Sequence, residues 1–304
     1  MRVAFLGPEG TFTEEALLSQ ADLAAGELMP MADIISVIGA VATGEVDAGV
    51  VPVENSIEGA VTATLDTLAF EYPTVRVRRE MDLAIDLNLM AAAPTSLPDI
   101  TEIRCHPQVV GQCRRFLRQS LPGARVVAAT SNAEAARSVA GLHGVAAIGP
   151  HLAAKLYGLD VLAEHIEDHP DNTTRFWLIG HAVPRPTGHD KTTIVCFQSV
   201  DRPGGLLEIL QEFAARAINL SKLESRPTKR GLGRYCFFMD AEGHVADELM
   251  ADCLRNLLAK GHDVVFLGSY PIFGEEGEAI RREAGESWTR AEDAVSAWRS
   301  EIGS

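Results

Sequence analysis

The sequence has few of the residues that build disulfides or metal sites. Its five cysteines are odd in number and include no C-x-x-C pair, and its nine histidines form neither an H-x-H nor an H-E-x-x-H pattern. This composition is typical of reduced, mostly buried cysteines in a cytoplasmic protein. We therefore expect a cytoplasmic location, no metal and no cofactor.

Membrane signals and positive charge are also scarce. No apolar run approaches the roughly 20 residues that cross a bilayer, and the first residues predict a strand rather than a signal peptide. With 27 basic and 42 acidic residues, the formal net charge is −15. That balance argues against nucleic-acid and membrane partners. An anionic substrate would need a local site of positive potential.

The 304 residues are enough for two domains. Up to about residue 182, short apolar runs alternate with helix-like segments, which predicts an α/β domain with largely parallel sheets. A long strand near Thr74–Met90 and a return near His165–Asp171 indicate two lobes, the second at about residues 76–165. A cleft is expected between them.

The proline-containing segment HAVPRPTGHD reads as a linker. Residues 191–272 then follow the order strand, helix, strand, strand, helix, strand, which is that of a ferredoxin-like (βαββαβ) sandwich. Residues 273–304 form a charged tail. Each helix of the sandwich carries an apolar face, made of Leu206, Leu210, Phe213 and Ala217 in the first and Leu249, Met250, Cys253, Leu254 and Leu257 in the second.

Two segments lead from a strand into a helix start, which presents backbone N–H groups and the helix dipole to an anion. The first is GPEGTFTEEA, near Thr11. Its G-x-x-G spacing is neither G-x-G-x-x-G nor a P-loop, so we expect a small anion rather than a nucleotide. The second is ATSNAEAA, where Ser131 and Glu134 form a capping box and Asn132 follows.

Two further motifs carry polar residues beside buried segments. In VPVENSIEG, Glu54, Asn55 and Ser56 follow a strand, where open α/β sheets bind ligands. Asn55 and Ser56 could equally serve only to cap the turn. In CHPQVVGQC, Gln108 and Gln112 lie four apart on one side of a helix. They either grip a carboxylate or carbonyl, or form a solvated flank.

The segment DNTTRFWLIG places Thr174, Arg175 and Phe176 at the entrance of a buried strand. An arginine there needs an acid, either a substrate carboxylate or a structural acid such as Glu54. In the second case Arg175 is a scaffold residue and Thr174 faces the ligand.

Together the motifs resemble one known family. GPEGTFTEEA, VPVENSIEG, CHPQVVGQC, YGL, NTTRF and RPGGLLEIL…INLSKLESRP occur in this order within residues 1–272, and the chain is similar to bacterial monofunctional prephenate dehydratases. The resemblance implies a two-lobed, periplasmic-binding-protein-like catalytic domain over residues 1–182 and an ACT regulatory domain over residues 191–272. It also implies conversion of prephenate to phenylpyruvate, water and carbon dioxide in phenylalanine biosynthesis.

The same resemblance implies roles for single residues. Thr174 would donate a hydrogen bond to the leaving hydroxyl. Glu54, Asn55 and Gln112 would line the cleft together with Cys105, which stands where the family commonly has serine. Glu54 would supply the proton if burial favours its protonated form. Further substrate contacts are expected from Thr11, Ser56, Gln108, Ser131, Asn132, Arg175 and Phe176.

By resemblance, ACT domains pair side by side and bind phenylalanine, so the chain would be a homo-oligomer, a dimer or a tetramer. The motif ESRP could instead only stabilise the fold. Gly205 replaces the alanine of the usual G-A-L, which should loosen that helix start slightly. The expected effector residues are Gly204, Gly205, Leu206, Asn219, Leu220, Glu224 and Ser225.

Two alternatives stay open. Arogenate dehydratase performs the same chemistry on a substrate with an ammonium group in place of the keto oxygen. A non-catalytic amino-acid-binding regulator would bind a ligand without turnover.

Overall fold

The computed structural model describes residues 1–198, 202–229, 235–273 and 297–300. These residues form two compact units. The first consists of Met1–Val75 and Met81–Gly180, and the second of Arg76–Glu80 and the described residues from His181 onward. Most of the predicted tail lies outside the described residues, and the predicted domain boundaries stay predictions.

The strands of the first unit alternate with short helices. In chain order the strands are β1 (Arg2–Leu6), β2 (Glu27–Met31), β3 (Ala48–Asn55), β4 (Gly59–Ala60), β5 (Arg76–Ala84), β6 (Asn88–Ala91), β7 (Glu102–Cys105), β8 (Arg125–Ala128), β9 (Val145–Gly149), β10 (Asp160–Ala163) and β11 (Thr173–Gly180). The first residues of β5 count with the second unit.

The helices are α1 (Phe12–Leu18), α2 (Ala21–Ala24), α3 (Ile34–Thr43), α4 (Thr62–Asp66), α5 (Pro107–Gln112), α6 (Arg114–Ser120), α7 (Asn132–Val139) and α8 (His151–Tyr157). The side chains of Thr11 and Ser131 cap α1 and α7 as predicted. The single helix predicted after residue 107 is broken at Cys113, whose backbone leaves the helical region. Within the described residues no helix is both long and apolar enough to cross a membrane.

The strands of the first unit form two sheets, with the orders β2-β1-β3-β11-β5 and β10-β6-β9-β7-β8. The α/β class is confirmed, but the expectation of largely parallel sheets is wrong. β1 runs parallel to β2 and β3, and β7 to β8 and β9, whereas β11 is antiparallel to β3, and β6 is antiparallel to β9 and β10. β4 is also antiparallel to β3, and β6, β10 and β11 lie next to the two passages of the chain between the sheets.

The chain passes between the sheets twice, at residues 85–87 and at residues 164–172. The long strand predicted near Thr74–Met90 is therefore two strands, one in each sheet. The passages are joined by backbone hydrogen bonds, from the Ile85 N–H to the Asn172 carbonyl at 2.8 Å and from the Ile166 N–H to the Leu87 carbonyl at 2.9 Å. Two lobes with two crossings are the predicted arrangement.

Each sheet has its own hydrophobic core. In the first sheet, Phe5, Val50 and Phe176 pack against Leu17 of α1. The core of the second sheet includes Leu89, Ile103, Cys105, Val109 and Ile148. Burying each large side chain stabilises the fold by about 1.5–3 kcal/mol. Each lobe therefore has a core of its own, and Phe12 and Leu83 pack against both cores.

The second unit has the predicted ferredoxin-like order, which is confirmed. Its sheet has the order β13-β14-β12-β15, with antiparallel neighbours. The elements are β12 (Asp190–Phe197), α9 (Gly205–Ala214), β13 (Leu220–Pro227), β14 (Tyr235–Glu242), α10 (Glu248–Ala259) and β15 (Asp263–Pro271).

The predicted helix faces are largely correct. Phe213 of α9 and Met250, Cys253 and Leu257 of α10 are buried in one core with Ile209. Ala217 does not belong to the face, because α9 ends at Ala214 and Ala217 is exposed with a φ of 53°.

Polar side chains are also buried in the second unit. The Thr193 hydroxyl donates to Asp240 Oδ1 at 2.7 Å and lies 2.6 Å from the Tyr270 hydroxyl. Lys191 Nζ lies 3.0 Å from Glu80 Oε2, and both side chains are buried. Val77 runs so close to Gly268 that a Cβ there would lie 2.5 Å from the Val77 carbonyl oxygen.

Candidate functional site

A cavity of about 400 Å³ in the first unit is lined by residues of β3, β4 and β11 of the first sheet and of helices α5 and α7 of the second lobe, and we call it the central cavity. Its volume is in the range of small-molecule sites. Its apolar lining includes Phe12, Pro52, Ile85, Leu87, Val109 and Phe176. Its polar lining includes Thr13, Asn55, Glu58, His106, Gln108, Gln112, Asn132, Asn172 and Thr174.

The pairing of β3 with β11 decides which side chains reach this cavity. Thr174 lies opposite Asn55, Arg175 opposite Glu54, and Phe176 opposite Pro52, with a bulge that skips one residue of β3. Opposite residues of paired strands point to the same face of a sheet. The pairs that contain Thr174 and Phe176 therefore line the cavity, and the pair between them points away.

Glu54 and Arg175 thus do not line the central cavity, contrary to the expectation that both contact substrate. The Arg175 guanidinium carbon lies 5.5 Å from the centroid of the Trp177 ring, on that opposite face. This placement corresponds to the alternative in which Arg175 is a scaffold residue while Thr174 faces the ligand.

Asn55 orients the Thr174 hydroxyl. Its Oδ1 accepts the backbone N–H groups of Ile57 and Glu58, each at 3.0 Å. Its Nδ2 therefore points the other way and donates to Thr174 Oγ1 at 2.9 Å and to Asn172 Oδ1 at 2.7 Å. A threonine hydroxyl has one hydrogen to donate. Because its oxygen already accepts from Asn55, and no described residue takes its hydrogen, that hydrogen is available to a ligand.

Helix α5 supplies the opposite wall. Gln112 Nε2 donates to Glu58 Oε1 at 3.3 Å, which joins the second lobe to the loop after β3. Gln108 lies one turn earlier on the same side, and both glutamines line the cavity as the ligand-gripping alternative requires. The His106 backbone N–H donates to Asn132 Oδ1 at 3.0 Å, which ties the starts of α5 and α7 together.

The central cavity carries little positive charge. Among its described lining residues, none is lysine or arginine, and the ionisable side chains are Glu58 and His106. The expected site of positive potential for an anion is therefore absent from this described lining. Neutral N–H and O–H donors are the groups that an anionic ligand would meet there.

Four other predicted substrate contacts do not line the cavity. Cys105 is completely buried in the core of the second sheet, and burial raises the pKa of its thiol to about 11. The Thr11 hydroxyl donates to the Leu6 carbonyl at 3.0 Å and caps α1. Ser56 Oγ accepts the Thr173 N–H, and Ser131 Oγ accepts the Glu134 N–H, each at 3.0 Å. Each of these three hydroxyls forms a hydrogen bond with a backbone group of the protein.

Four polar lining residues were missed by the sequence analysis: Thr13, Glu58, His106 and Asn172. Each lies inside a motif quoted above, GPEGTFTEEA, VPVENSIEG, CHPQVVGQC or DNTTRFWLIG. Their positions in these motifs were the available signal. Which side of the backbone each would occupy depends on the turn after β3 and on the chain crossing before β11.

The second unit has its own cavity of about 520 Å³, which we call the second-unit cavity. Gly204, Gly205, Leu206 and Ser225 line it, as predicted for the effector site. Sequence analysis missed the remaining lining residues, which are Gln198, Arg202, Leu207, Leu210, Tyr235 and Phe237.

The other predicted effector residues lie outside the second-unit cavity. Asn219 Nδ2 donates to Glu242 Oε1 at 2.8 Å, and Leu220 packs on the core. The Glu224 carboxylate lies 3.5 Å from both Lys222 Nζ and Arg226 Nη1, along β13. Within this chain, the structure does not bring these three residues together with Gly204–Leu206.

One group of side chains has metal-ligand composition. Asp86, His165 and Glu167 offer ligand atoms within 4.8 Å of one another, at the two crossings between the sheets. The His165 Nδ1 lies 3.4 Å from Asp86 Oδ1, and Glu167 Oε2 accepts the Leu87 N–H at 2.8 Å. Partly exposed groups of this kind are common without an ion, so we assign no metal to it.

Comparisons with known proteins find relatives along nearly the whole chain. A family model described as "Prephenate dehydratase" matches residues 3–184, and one described as "ACT domain" matches residues 192–259. A prephenate dehydratase of Amycolatopsis methanolica is 41% identical over 97% of this chain and 97% of its own. The crystal structure of prephenate dehydratase in complex with L-Phe from Arthrobacter aurescens is 38% identical, with a TM-score of 0.86, and covers 99% of this chain and 100% of its own.

The same architecture occurs in a protein described by another activity. The structure of GqqA, described as a novel type of quorum-quenching acylase, is 26% identical, with a TM-score of 0.78. The match covers 89% of this chain and 98% of that one. Fold likeness alone therefore does not decide the reaction. The reaction depends on the polar side chains that line the central cavity.

Proposed function

Because this chain belongs to the prephenate dehydratase family, we propose that it converts prephenate to phenylpyruvate, carbon dioxide and water in the central cavity. The bond between the ring and its carboxylate breaks, and the electron pair moves into the ring. The ring becomes aromatic as the hydroxyl on its opposite side leaves with its bonding pair. For the prephenate dianion, this reaction consumes one proton, which leaves with the hydroxyl as water.

Formation of the aromatic ring supplies much of the driving force, so the protein needs to orient the substrate and stabilise the leaving group. The observation that carries the proposal is the Thr174 hydroxyl, whose oxygen accepts from Asn55 and whose hydrogen is available. In this arrangement Thr174 donates to the departing hydroxyl. A threonine is too weak an acid to supply the proton alone, and Glu58 and His106 are the ionisable described groups nearby.

The remaining lining suits the rest of the substrate. The side chains of Phe176, Leu87 and Val109 offer an apolar surface for a six-membered ring. The amides of Gln108 and Asn132 offer neutral donors for carboxylates.

The test is the formation of phenylpyruvate, measured by its ultraviolet absorbance, when the purified chain is mixed with prephenate. We expect turnover by the wild type. Its absence in protein with an intact circular dichroism spectrum would overturn the proposal. Ligand binding heat without product would favour the non-catalytic regulator instead.

Arogenate is the second candidate substrate, and Glu58 is the observation that favours it. An ammonium group would attract the one carboxylate among the described lining residues, whereas the keto oxygen that prephenate carries in its place would not. Parallel assays with arogenate, detecting phenylalanine as the product, separate the two. If Glu58 contacts the ammonium, Glu58→Gln should lower kcat/KM more for arogenate than for prephenate.

We further propose that phenylalanine regulates the enzyme through the second-unit cavity. The bound L-Phe of the Arthrobacter aurescens relative supports this choice of effector. In this chain, Leu210, Tyr235 and Phe237 provide an apolar lining for a ring, and Arg202 provides a positive charge for a carboxylate.

The effector proposal can be tested with a matched pair of serine variants on β13. Both Ser221 and Ser225 are exposed, but Ser225 lines the second-unit cavity and Ser221 does not. Ser225→Leu should abolish the response of the rate to phenylalanine, and Ser221→Leu should retain it. Equal responses in both variants would place the effector elsewhere.

We also propose a cytoplasmic homo-oligomer, a dimer or a tetramer. Leu207 and Tyr235 are 57% and 46% exposed at the second-unit cavity, where a second copy would cover them. Light scattering of the purified chain measures the assembly, and a monomeric mass at micromolar concentration would contradict it.

A further inference from the structure

The amide nitrogen of Asn172 is a polar group that the proposed reaction does not yet use. Asn172 is 1% exposed and lines the central cavity. Its Nδ2 is buried and has no hydrogen-bond partner within the described part of the chain. A buried donor without a partner lowers stability, and such groups are rare in native proteins. Its position in a cavity wall indicates that a ligand is the missing acceptor.

The orientation of this amide follows from the backbone. Two backbone N–H groups occupy Asn55 Oδ1, so Asn55 must present its NH₂ group to Asn172. The atom of Asn172 that lies 2.7 Å away is therefore its carbonyl oxygen. Exchanging the two atoms of the Asn172 amide would bring two NH₂ groups together. Nδ2 consequently remains the free donor.

Asn172 and Thr174 lie at the same end of the cavity, because one nitrogen, Asn55 Nδ2, contacts both side chains. We propose that Asn172 Nδ2 donates a second hydrogen bond to the leaving hydroxyl of the substrate, beside the Thr174 hydroxyl. This inference rests on the proposed function. The leaving oxygen has two lone pairs, one for each donor.

Two donors at this oxygen act mainly on the rate of the chemical step. Negative charge builds on the oxygen as its bond to the ring breaks, so both hydrogen bonds are stronger in the transition state than with bound substrate. Nδ2 is shielded from water in the free protein. The donor becomes available when the cavity walls adjust around the substrate, in surroundings where water does not compete for it.

Two substitutions separate this role from a structural one. Asn172→Leu is similar in size and has no donor. One hydrogen of Asn55 Nδ2 keeps the Thr174 hydroxyl as its acceptor, and the other loses the Asn172 carbonyl oxygen. We expect kcat to fall about 10- to 100-fold, with little change in KM. We expect Tm to change little, because the variant removes one buried donor without a partner but leaves one hydrogen of Asn55 Nδ2 without its acceptor.

Asn172→Asp keeps the acceptor for Asn55 and exchanges the donor for a titratable oxygen. The protonated carboxyl can donate and the ionised one cannot. The ratio of its kcat to that of the wild type should therefore rise as the pH is lowered. The same ratio for Asn172→Leu should stay flat, which makes Asn172→Leu the matched control.

The outcomes distinguish this proposal from the proposed function. If the wild type forms no phenylpyruvate from prephenate, both are overturned. If the wild type is active and Asn172→Leu keeps full kcat, only this proposal is overturned, and a lowered Tm then makes Asn172 a structural residue. Should Asn172→Leu not fold, the pH dependence of Asn172→Asp decides, and a flat ratio overturns the proposal.

Discussion

Two buried polar networks of this molecule differ in whether they are complete. In the second unit, the Thr193 hydroxyl is paired with Asp240 and Tyr270, and Thr192 with Ser269 and the Gly243 carbonyl. In the first unit, Asn55 is fully used, but Asn172 Nδ2 and the Thr174 hydroxyl hydrogen have no acceptor among the described residues.

The difference separates polar groups that stabilise the fold from polar groups that are available to bind a ligand. A complete buried network stabilises one conformation, and removing any member leaves its partners unsatisfied. An incomplete network lowers stability until a ligand completes it. Substitutions in the second unit should therefore lower stability and spare kcat, whereas substitutions of Asn172 and Thr174 should do the reverse.

The largest effect is expected at the ion pair of the second unit. The Glu80 carboxylate contacts Lys191 Nζ at 3.0 Å and accepts the Phe273 N–H at 3.0 Å. Glu80→Ala leaves a buried ammonium without its counter-charge and should lower the free energy of unfolding by about 3–5 kcal/mol. Chemical denaturation measures the loss. The double variant Glu80→Leu/Lys191→Met should recover much of it, and a loss below about 1 kcal/mol in Glu80→Ala would contradict the pairing.

Thr174→Ala should lower the rate of the reaction rather than the stability of the fold. Loss of one oriented donor at the leaving group should lower kcat on the order of 10²-fold or more, which is about 2.7 kcal/mol in the activation barrier. The melting temperature should change little. Thr174→Ser is the matched control, because it retains the hydroxyl and should retain most of the rate. Rates within a few-fold of the wild type in Thr174→Ala would make Thr174 an ordinary strand residue.

Thr193→Val tests the complete network directly. The valine has the shape of threonine without its hydroxyl, and it leaves Asp240 and the Tyr270 hydroxyl each without one partner. The free energy of unfolding should fall by about 1–3 kcal/mol, while kcat for prephenate is unchanged. Thr193→Ser should lose less. A reduced kcat with unaltered stability would reverse the assignment of the two networks.

The smallest effect is expected at Cys105. Burial raises the pKa of its thiol from 9.0 to about 11, so the folded protein holds the neutral thiol through pH 9. Iodoacetamide should therefore leave the rate unchanged between pH 7 and pH 9, and mass spectrometry should find Cys105 unmodified until the chain is unfolded. Rapid modification of native protein with loss of activity would return Cys105 to the substrate site.

Because the pKa of the Cys105 thiol is raised in the folded state, its contribution to the free energy of unfolding depends on pH. The folded state holds the thiol proton more tightly than the unfolded state does, so the contribution of this group is fully present below about pH 9. It is lost as the pH rises towards about 11.

Much of the fold could be predicted from local patterns. The strand at Arg2–Leu6, the capped helix starts at Thr11 and Ser131, and the order of elements after residue 190 all follow from apolar periodicity and cap residues. The break at residues 85–87 could not be predicted in this way. The apolar pattern of DLAIDLNLMAA continues across it, although the chain changes sheets there.

The sequence motifs that form the candidate site could be predicted, but not which residues of each motif point into the cavity. Asn55, Gln112, Thr174 and Phe176 line the central cavity as expected. Glu54 does not, because it is the strand neighbour of Asn55 and lies opposite Arg175, so it points to the other face. The bulge beyond Glu54 brings Pro52 to the same face as Asn55. A bulge depends on how two distant strands pair, and the sequence of one strand carries no clear sign of it.

The most direct test of the central claim is a double-mutant cycle on kcat for prephenate, with the wild type, Asn172→Leu, Thr174→Ala and the double variant. If both side chains hold the same leaving oxygen, their effects are coupled. We predict that the double variant loses clearly less than the product of the two single losses. Losses that multiply, or a full rate in Asn172→Leu, would contradict a shared leaving-group site.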